Sequence, residues 1–306
     1  MSAKQETTFS TYSKAQGQAY SQIRRDYHQN VYDTVISKHT SSGGQLDLVL
    51  DVGCGPGLAT RTLASKFAHA VGLDPSSGMI ETARSQGLVT ATNEPVRFEV
   101  SSAENLGASL EHPITAGSID LITAANAAHW FDLPRFWESA ARVLKPGGSV
   151  IFWCSGDIRA HPTMPGAKGI DEAVEKHMET YMKPYMNYGN LLTRGRYTDL
   201  KLPWSDGAQV PGFDAAHFER YEWPAEQDFF SGDTTIDLDT FEKMRGTSSF
   251  TTRWREAHPE LVGTEQDAVR VLRRDMEKVL HAAGVKPGEE RLKGSVHGVL
   301  IIVKKV

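Results

Sequence analysis

Three glycines alternate at positions 53, 55 and 57, directly behind the short run 48–52, Leu-Val-Leu-Asp-Val. A strand that feeds straight into such a turn leaves few architectures open. Glycine enters the left-handed backbone region without a Cβ clash and leaves main-chain N–H groups open to a ligand. Residues 46–52 are almost continuously apolar, which is the pattern of a strand buried on both faces of a parallel sheet. The same rhythm continues downstream. Spacing and capping predict a helix over 57–67, a strand over 70–73, and a helix capped at Ser76 or Ser77 that ends near Gly87. Strands over 96–100 and 118–124 follow. A helix then begins at Asp132, with Pro134 in its first turn, and runs to Leu144. Lys145-Pro-Gly-Gly148 stops it before a fifth strand over 149–153. Five β–α steps in succession predict a doubly wound α/β sheet with helices on both faces.

Outside this block the pattern changes. Residues 1–45 form a polar lead with apolar positions Ile23, Tyr27, Val31 and Val35 at helical spacing, and are expected to serve as a helical, lid-like segment. Residues 46–154 make the core. Residues 155–215, rich in aromatics and methionine, read as a helical insertion over the sheet edge, with a helix over 170–181. Residues 216–306 are expected to complete the same domain through a strand over 217–223, helices within 238–257 and 264–283, and a final strand over 296–304.

Composition narrows the function. The chain has 306 residues, 40% of them hydrophobic, enough for a sizeable core. A formal charge of −5 argues against nucleic acid or an anionic lipid surface as a partner. No run approaches the roughly 20 apolar residues of a membrane span. Residues 1–8 lack the apolar core of a secretory leader. Cys54 and Cys154 are the only cysteines, which fits a reducing compartment, so a cytoplasmic location is expected. Eleven histidines are scattered without metal-ligand spacing, so no metal is expected.

The acids beside the glycine turn carry the chemistry. Asp51 lies two residues before Gly53, where a pyrophosphate would find it repulsive but a cationic ligand would not. The nicotinamide-dinucleotide pattern also places its third glycine one position later than Gly57. Strand two ends at Asp74, where a carboxylate can accept both hydroxyls of a ribose. In the competing reading, Asp51 and Asp74 only cap their loops.

Residues 48–153 resemble the class I S-adenosylmethionine-dependent methyltransferases, through several motifs in order. Asp51, Gly53, Cys54, Gly55 and Gly57 match the cofactor loop. Asp74 matches the ribose-binding acid, and Pro75 and Met79 the segment beside the adenosine. Ser102, Ala103 and Glu104 match the stretch that flanks adenine. Residues 118–123 match strand four, which continues through Ala125 and Asn126, and residues 144–148 match the turn before strand five. The resemblance implies a Rossmann-like, seven-stranded, mostly parallel sheet with an antiparallel last strand, and S-adenosyl-L-methionine as cofactor.

His129-Trp130-Phe131 after strand four resembles the branch that contains the trans-aconitate methyltransferases and their fungal relatives. Tyr20, Arg24 and Tyr27 keep that branch's lid pattern, with Arg25 and His28 where its prolines stand. Residues 241–254, including Arg245, resemble its substrate-side helix. The branch implies that Tyr20 and Arg24 close over the cofactor, with a small-molecule acceptor, expected to be a carboxylic acid, beyond them.

A carboxylate is ionised at neutral pH and needs no general base; it needs donors to hold it. Arg24, Arg25, Arg245 and Arg253 are candidates, because guanidinium binds carboxylate in bidentate fashion. His129 could instead serve as a base for a hydroxyl or amine acceptor, or simply pack beside Trp130. Tyr27, Trp130, Trp153 and Trp254 are candidate walls of the acceptor pocket, or core fillers. The series Met178, Met182 and Met186 with Tyr181, Tyr185 and Tyr188 is packing, a lid or a dimer surface; monomer and homodimer both stay open. A non-catalytic cofactor-binding protein and an oxidoreductase are the remaining alternatives.

Overall fold

The computed structural model describes residues 9–224, 226–232 and 235–306. Residues 1–8, on which the reading of the leader rests, lie outside them. Two helices lead the chain, α1 (Lys14–Ile23) and α2 (Gln29–Thr40). The alternating block follows as β1 (Leu48–Val52), α3 (Leu58–Ala64), β2 (His69–Asp74), α4 (Ser77–Ser85), β3 (Arg97–Val100), β4 (Ile119–Ala125), α5 (Leu133–Val143) and β5 (Leu144–Cys154). Next come β6 (Ile158–Ala160), α6 (Ala167–His177), a π-helical turn (Met178–Met182) and α7 (Tyr188–Arg194). The chain ends with β7 (Phe213–Glu222), β8 (Thr235–Ile236), α8 (Leu238–Gly246), α9 (Ser249–Ala257), α10 (Ala268–Ala282), β9 (Leu292–Val296) and β10 (Val299–Lys305).

Seven strands form the main sheet in the order β3-β2-β1-β4-β5-β10-β7. All run parallel except β10, which lies antiparallel between β5 and β7. This is the Rossmann-like arrangement with an antiparallel last strand that the motifs imply. Two apolar clusters cover its faces. One holds Leu50, Val52, Phe136, Trp137 and Phe152; the other holds Val49, Phe67, Leu121, Ile151 and Leu300. Alternate residues of β1 and β5 enter opposite clusters, as the two-residue period of a strand requires. Among the described residues no helix is long and apolar enough to cross a membrane.

The final strand differs from its expected bounds. Residues 292–296 leave the main sheet and build a second, three-stranded sheet in the order β6-β9-β8. The chain turns at 297–298, where Gly298 passes so close to Phe229 that a Cβ would lie 2.3 Å from its ring. α6 and α10 pack beside the small sheet around Met164, Ile170, Leu272, Met276 and Leu280. Elements from 158–194 and from 235–296 therefore share one core. The lead segment is also tied down. α1 packs on α4 through Gly78, whose absent Cβ would lie 2.2 Å from the Tyr12 carbonyl oxygen.

Candidate active site

The C-terminal ends of the parallel strands open into a cavity of about 1000 Å³. In an open α/β sheet this is where ligands bind, at the point where strand order reverses. Here that point lies between β1 and β4. Gly53, Gly55 and Gly57 all adopt positive φ, at 67°, 54° and 88°. The turn is fastened to β2 because Gly53 N and Cys54 N both donate to the Leu73 carbonyl, at 2.7 and 3.0 Å. A Cβ on Gly53 would sit 2.7 Å from Ala127 Cβ, whereas one on Gly55 would meet nothing within 4 Å. The loop is thus packed behind Gly53 and open in front of Gly55. Gly53→Ala is expected to keep a cooperative fold yet weaken binding of an adenosyl ligand by roughly tenfold or more, since left-handed strain alone costs about 1–2 kcal/mol. Calorimetric titration checks this; affinity within twofold of wild type would contradict it.

The two acids take different places. Asp51 is buried, and its carboxylate accepts from Thr60 Oγ1 at 2.6 Å and Thr123 Oγ1 at 2.8 Å. Its side chain does not line the cavity. It orders the strand ends from below and places negative charge beneath the loop. Asp74 does line the cavity. One of its oxygens accepts from Gly55 N and the other from Ser76 N, both at 2.9 Å. Each oxygen keeps a lone pair for a further donor. Burial pushes both carboxyl groups up, each to about 6.

Pro75, Met79, Ser102, Ala103 and Glu104 form one wall beside Asp74. Glu104 also accepts from Asp132 N at 2.8 Å, which fixes the start of α5. Ala125 and Asn126 form the floor at the end of β4. Asn126, at φ 50°, accepts from Ser155 N at 3.0 Å and donates to the Tyr27 hydroxyl at 3.0 Å. The lead segment roofs the site. Tyr20 carries Arg24 over its ring at 4.9 Å, and Phe9 touches the rings of Tyr20 and Trp130. Tyr20, Arg24, Tyr27, Cys54 and Trp130 all face the cavity.

The arginine candidates separate sharply. Arg25 donates to the carbonyls of Ser231 and Gly232, at 2.6 and 2.9 Å. Arg253 donates to Tyr185 O at 2.8 Å and Asn190 Oδ1 at 2.6 Å. Arg24 reaches only the Thr247 carbonyl, at 3.3 Å, and its Nε is buried with no partner among the described residues. Arg245 lies on the cavity wall over the Phe250 ring at 4.7 Å, with Met178 Sδ 2.5 Å from one terminal nitrogen. Its Nε likewise has no partner, and no carboxylate pairs with it among the described residues. Burial pushes its pKa down to about 10, so the guanidinium stays charged at neutral pH.

Two tryptophans expected in the acceptor pocket are instead core. Trp153 is fully buried beneath the floor, edge-on to Tyr27 at 5.5 Å, because β5 is an interior strand covered on both faces. Trp254 stacks on His258 at 4.6 Å and packs with Met178 and Met182 on the far side of α9. His129 reaches the cavity, but its Nδ1 lies 2.8 Å from the Tyr197 hydroxyl and burial pushes its imidazole down to about 3. The ring is neutral and weakly basic. It rests against Trp130 at 4.3 Å.

Sequence reasoning missed most of the distal wall. Met164, Ile170, Phe241, Leu272, Met276 and Leu292 come from four separate elements, α6, α8, α10 and β9, and from the turn before α6. Their helical periodicity is legible, but not the cavity they surround. Away from the cavity, Glu277, His281 and Glu290 bring three ligand-type atoms within 4.8 Å of one another. The His281–Glu290 ion pair at 2.6 Å accounts for that grouping.

Residues 50–152 match the protein family described as "Methyltransferase domain". A Dictyostelium discoideum protein named as a candidate methyltransferase is 37% identical over 138 residues, 45% of this chain and 46% of its own. A Saccharomyces cerevisiae protein, named as a probable S-adenosylmethionine-dependent methyltransferase, is 28% identical over 134 residues, 44% of this chain and 43% of its own. The chain thus spans less than half the length of these relatives. A solved Anaeromyxobacter dehalogenans structure, described as a candidate type II methyltransferase, superposes with a TM-score of 0.56 at 22% identity, covering 92% of this chain and 96% of its own. That likeness concerns the fold.

Proposed function

We propose that this chain is an S-adenosylmethionine-dependent methyltransferase that esterifies a small carboxylic acid. The match over 50–152 and the yeast relative's name support the first half. One observation carries the second: Arg245 faces the cavity and forms no ion pair with a carboxylate among the described residues, Asp157 acting on it only from beyond contact. A buried cation without a counter-ion is costly, and an anionic ligand removes that cost.

The residues fit the cofactor. The loop is open in front of Gly55, and both Asp74 oxygens keep a lone pair for a ribose diol. Pro75 and Met79 give the adenosine an apolar wall, and Asp51 and Asp74 set negative potential under a cationic ligand. When bound, the cofactor supplies a methyl group activated by a sulfonium. An ionised carboxylate acceptor would need no proton removed before accepting that methyl group. The chain therefore has to align and desolvate the acceptor rather than deprotonate it. Tyr20 and Phe9 roof the site against water, and Arg245 holds the acid. The second reading, a hydroxyl or amine acceptor with His129 as base, has less support, because a neutral imidazole with a pKa near 3 draws protons poorly.

Incubation with methyl-labelled cofactor and separate panels of acids, phenols and amines tests the proposal. Label is expected in alkali-labile methyl esters. Label confined to ethers or amines would overturn the carboxylate reading; cofactor binding with no transfer to any panel favours a binding protein.

A pH dependence follows from the raised carboxyl pKa values. Bound sulfonium favours the ionised acids, so binding lowers their pKa and releases protons near pH 6. Affinity for S-adenosylmethionine is expected to fall as pH drops through about 6, where the free protein's Asp51 and Asp74 become protonated. S-adenosylhomocysteine, which lacks the sulfonium charge, should show a shallower slope. Titrations at pH 5 and pH 7.5 measure both; equal slopes would contradict the electrostatic role.

A further inference from the structure

The cavity extends well past the cofactor wall. A single drug-sized ligand occupies a pocket of about 300–1,000 Å³, and this space, about 1000 Å³, must hold an acceptor as well as a cofactor. Its far part is apolar. Met164, Ile170, Leu272, Met276 and Leu292 line it, together with Val174 and Phe241. α6 and the turn that follows it present Ile170, Val174 and Met178 four residues apart, on one face. Arg245 stands at the Met178 end of this stripe. From Met178 to Ile170 is eight residues, or about 12 Å at helical rise.

Several charges near the stripe are matched by one another. Arg194 bonds Asp157 and Glu175, each at 3.1 Å, and Arg159 bonds Glu175 at 2.9 Å. Asp171 accepts from Ala160 N at 2.8 Å. Lys293, next to Leu292 on β9, borders the same cavity, and strand alternation sets its side chain on the opposite face of β9 from that of Leu292. The compartment therefore has a cationic end at Arg245 and a hydrocarbon end at Ile170. A small polyanion would bury its second carboxylate against methionine and leucine there, which is unfavourable.

We infer that the acceptor is an amphipathic carboxylic acid, with its carboxylate at Arg245 and a hydrocarbon arm of roughly eight to ten carbons laid along α6 into the compartment of Met164, Ile170, Leu272 and Met276. Methionine suits such a wall, because its flexible thioether adapts to a chain that bends. This inference rests on the methyltransferase reading, and its test separates the two.

Protein saturated with S-adenosylhomocysteine is titrated with straight-chain alkanoates of increasing length. Affinity is expected to rise about fourfold per added methylene, up to roughly ten carbons, and then to level off. Val174→Trp, which fills the middle of the stripe, should move the break to shorter acids. Met276→Ala, which enlarges the far end, should move it to longer ones. Affinity that stays flat across the series, or a break unmoved in both variants, overturns the amphipathic acceptor while leaving cofactor binding intact. Failure of S-adenosylhomocysteine itself to bind overturns the methyltransferase reading, and this inference with it.

Discussion

Asp74→Ala is expected to weaken S-adenosylhomocysteine binding by about a hundredfold while leaving the chain folded. Hydrogen bonds to a charged group contribute roughly 1.5–3 kcal/mol each, and a ribose would make two of them here. The same carboxylate also holds Gly55 N and Ser76 N, so its removal loosens the cradle as well as its contact with the ligand. Asp74→Asn should recover little. An amide has one acceptor oxygen, and its NH₂ group would face one of those two backbone N–H donors. Calorimetry on both variants measures the effect, and affinity within threefold of wild type for Asp74→Ala would refute the ribose assignment.

Arg245→Met is expected to act with opposite sign on activity and on stability. Loss of the bidentate grip on the acid should lower kcat/KM by roughly 10- to 100-fold, in line with about 1.5–3 kcal/mol for a charge-assisted contact. Cofactor affinity should not change. The unliganded protein, however, should melt higher, because the substitution removes a desolvated cation that forms no ion pair with a carboxylate among the described residues. A binding residue that costs the empty fold is a familiar trade. Arg245→Lys should not restore activity, since a point charge lacks the planar fork that fits a carboxylate. A variant that loses stability and activity together would assign Arg245 a purely structural role.

Much of the sheet was legible because its information is local. The apolar run into Gly53, the Ser76 cap that accepts from Met79 N and the stop at 145–148 each act within a few residues. The cofactor-side residues Asp74, Met79, Ser102 and Asn126 meet in one cavity because each sits at or just beyond a strand end. The acceptor side was much less legible. Trp153 and Trp254 carry the composition of a pocket wall, but their faces are set by which sheet layer covers them. Arg245 and Arg253 look alike in sequence, and only tertiary placement gives Arg253 an Asn190 partner and sets Arg245 on the cavity wall beside Met178 and Phe250. β9, apart from Val296, falls outside the strand expected over 296–304, because no local signal marks a change of sheet at 297–298; the cause is contact with Phe229, nearly seventy residues away in sequence.

Titration of the wild-type chain with S-adenosylhomocysteine at pH 7.5 tests the central claim most directly. The glycine turn and Asp74 predict saturable heat with one ligand per chain, at an affinity that Asp74→Ala lowers about a hundredfold. No heat at millimolar ligand would contradict the account.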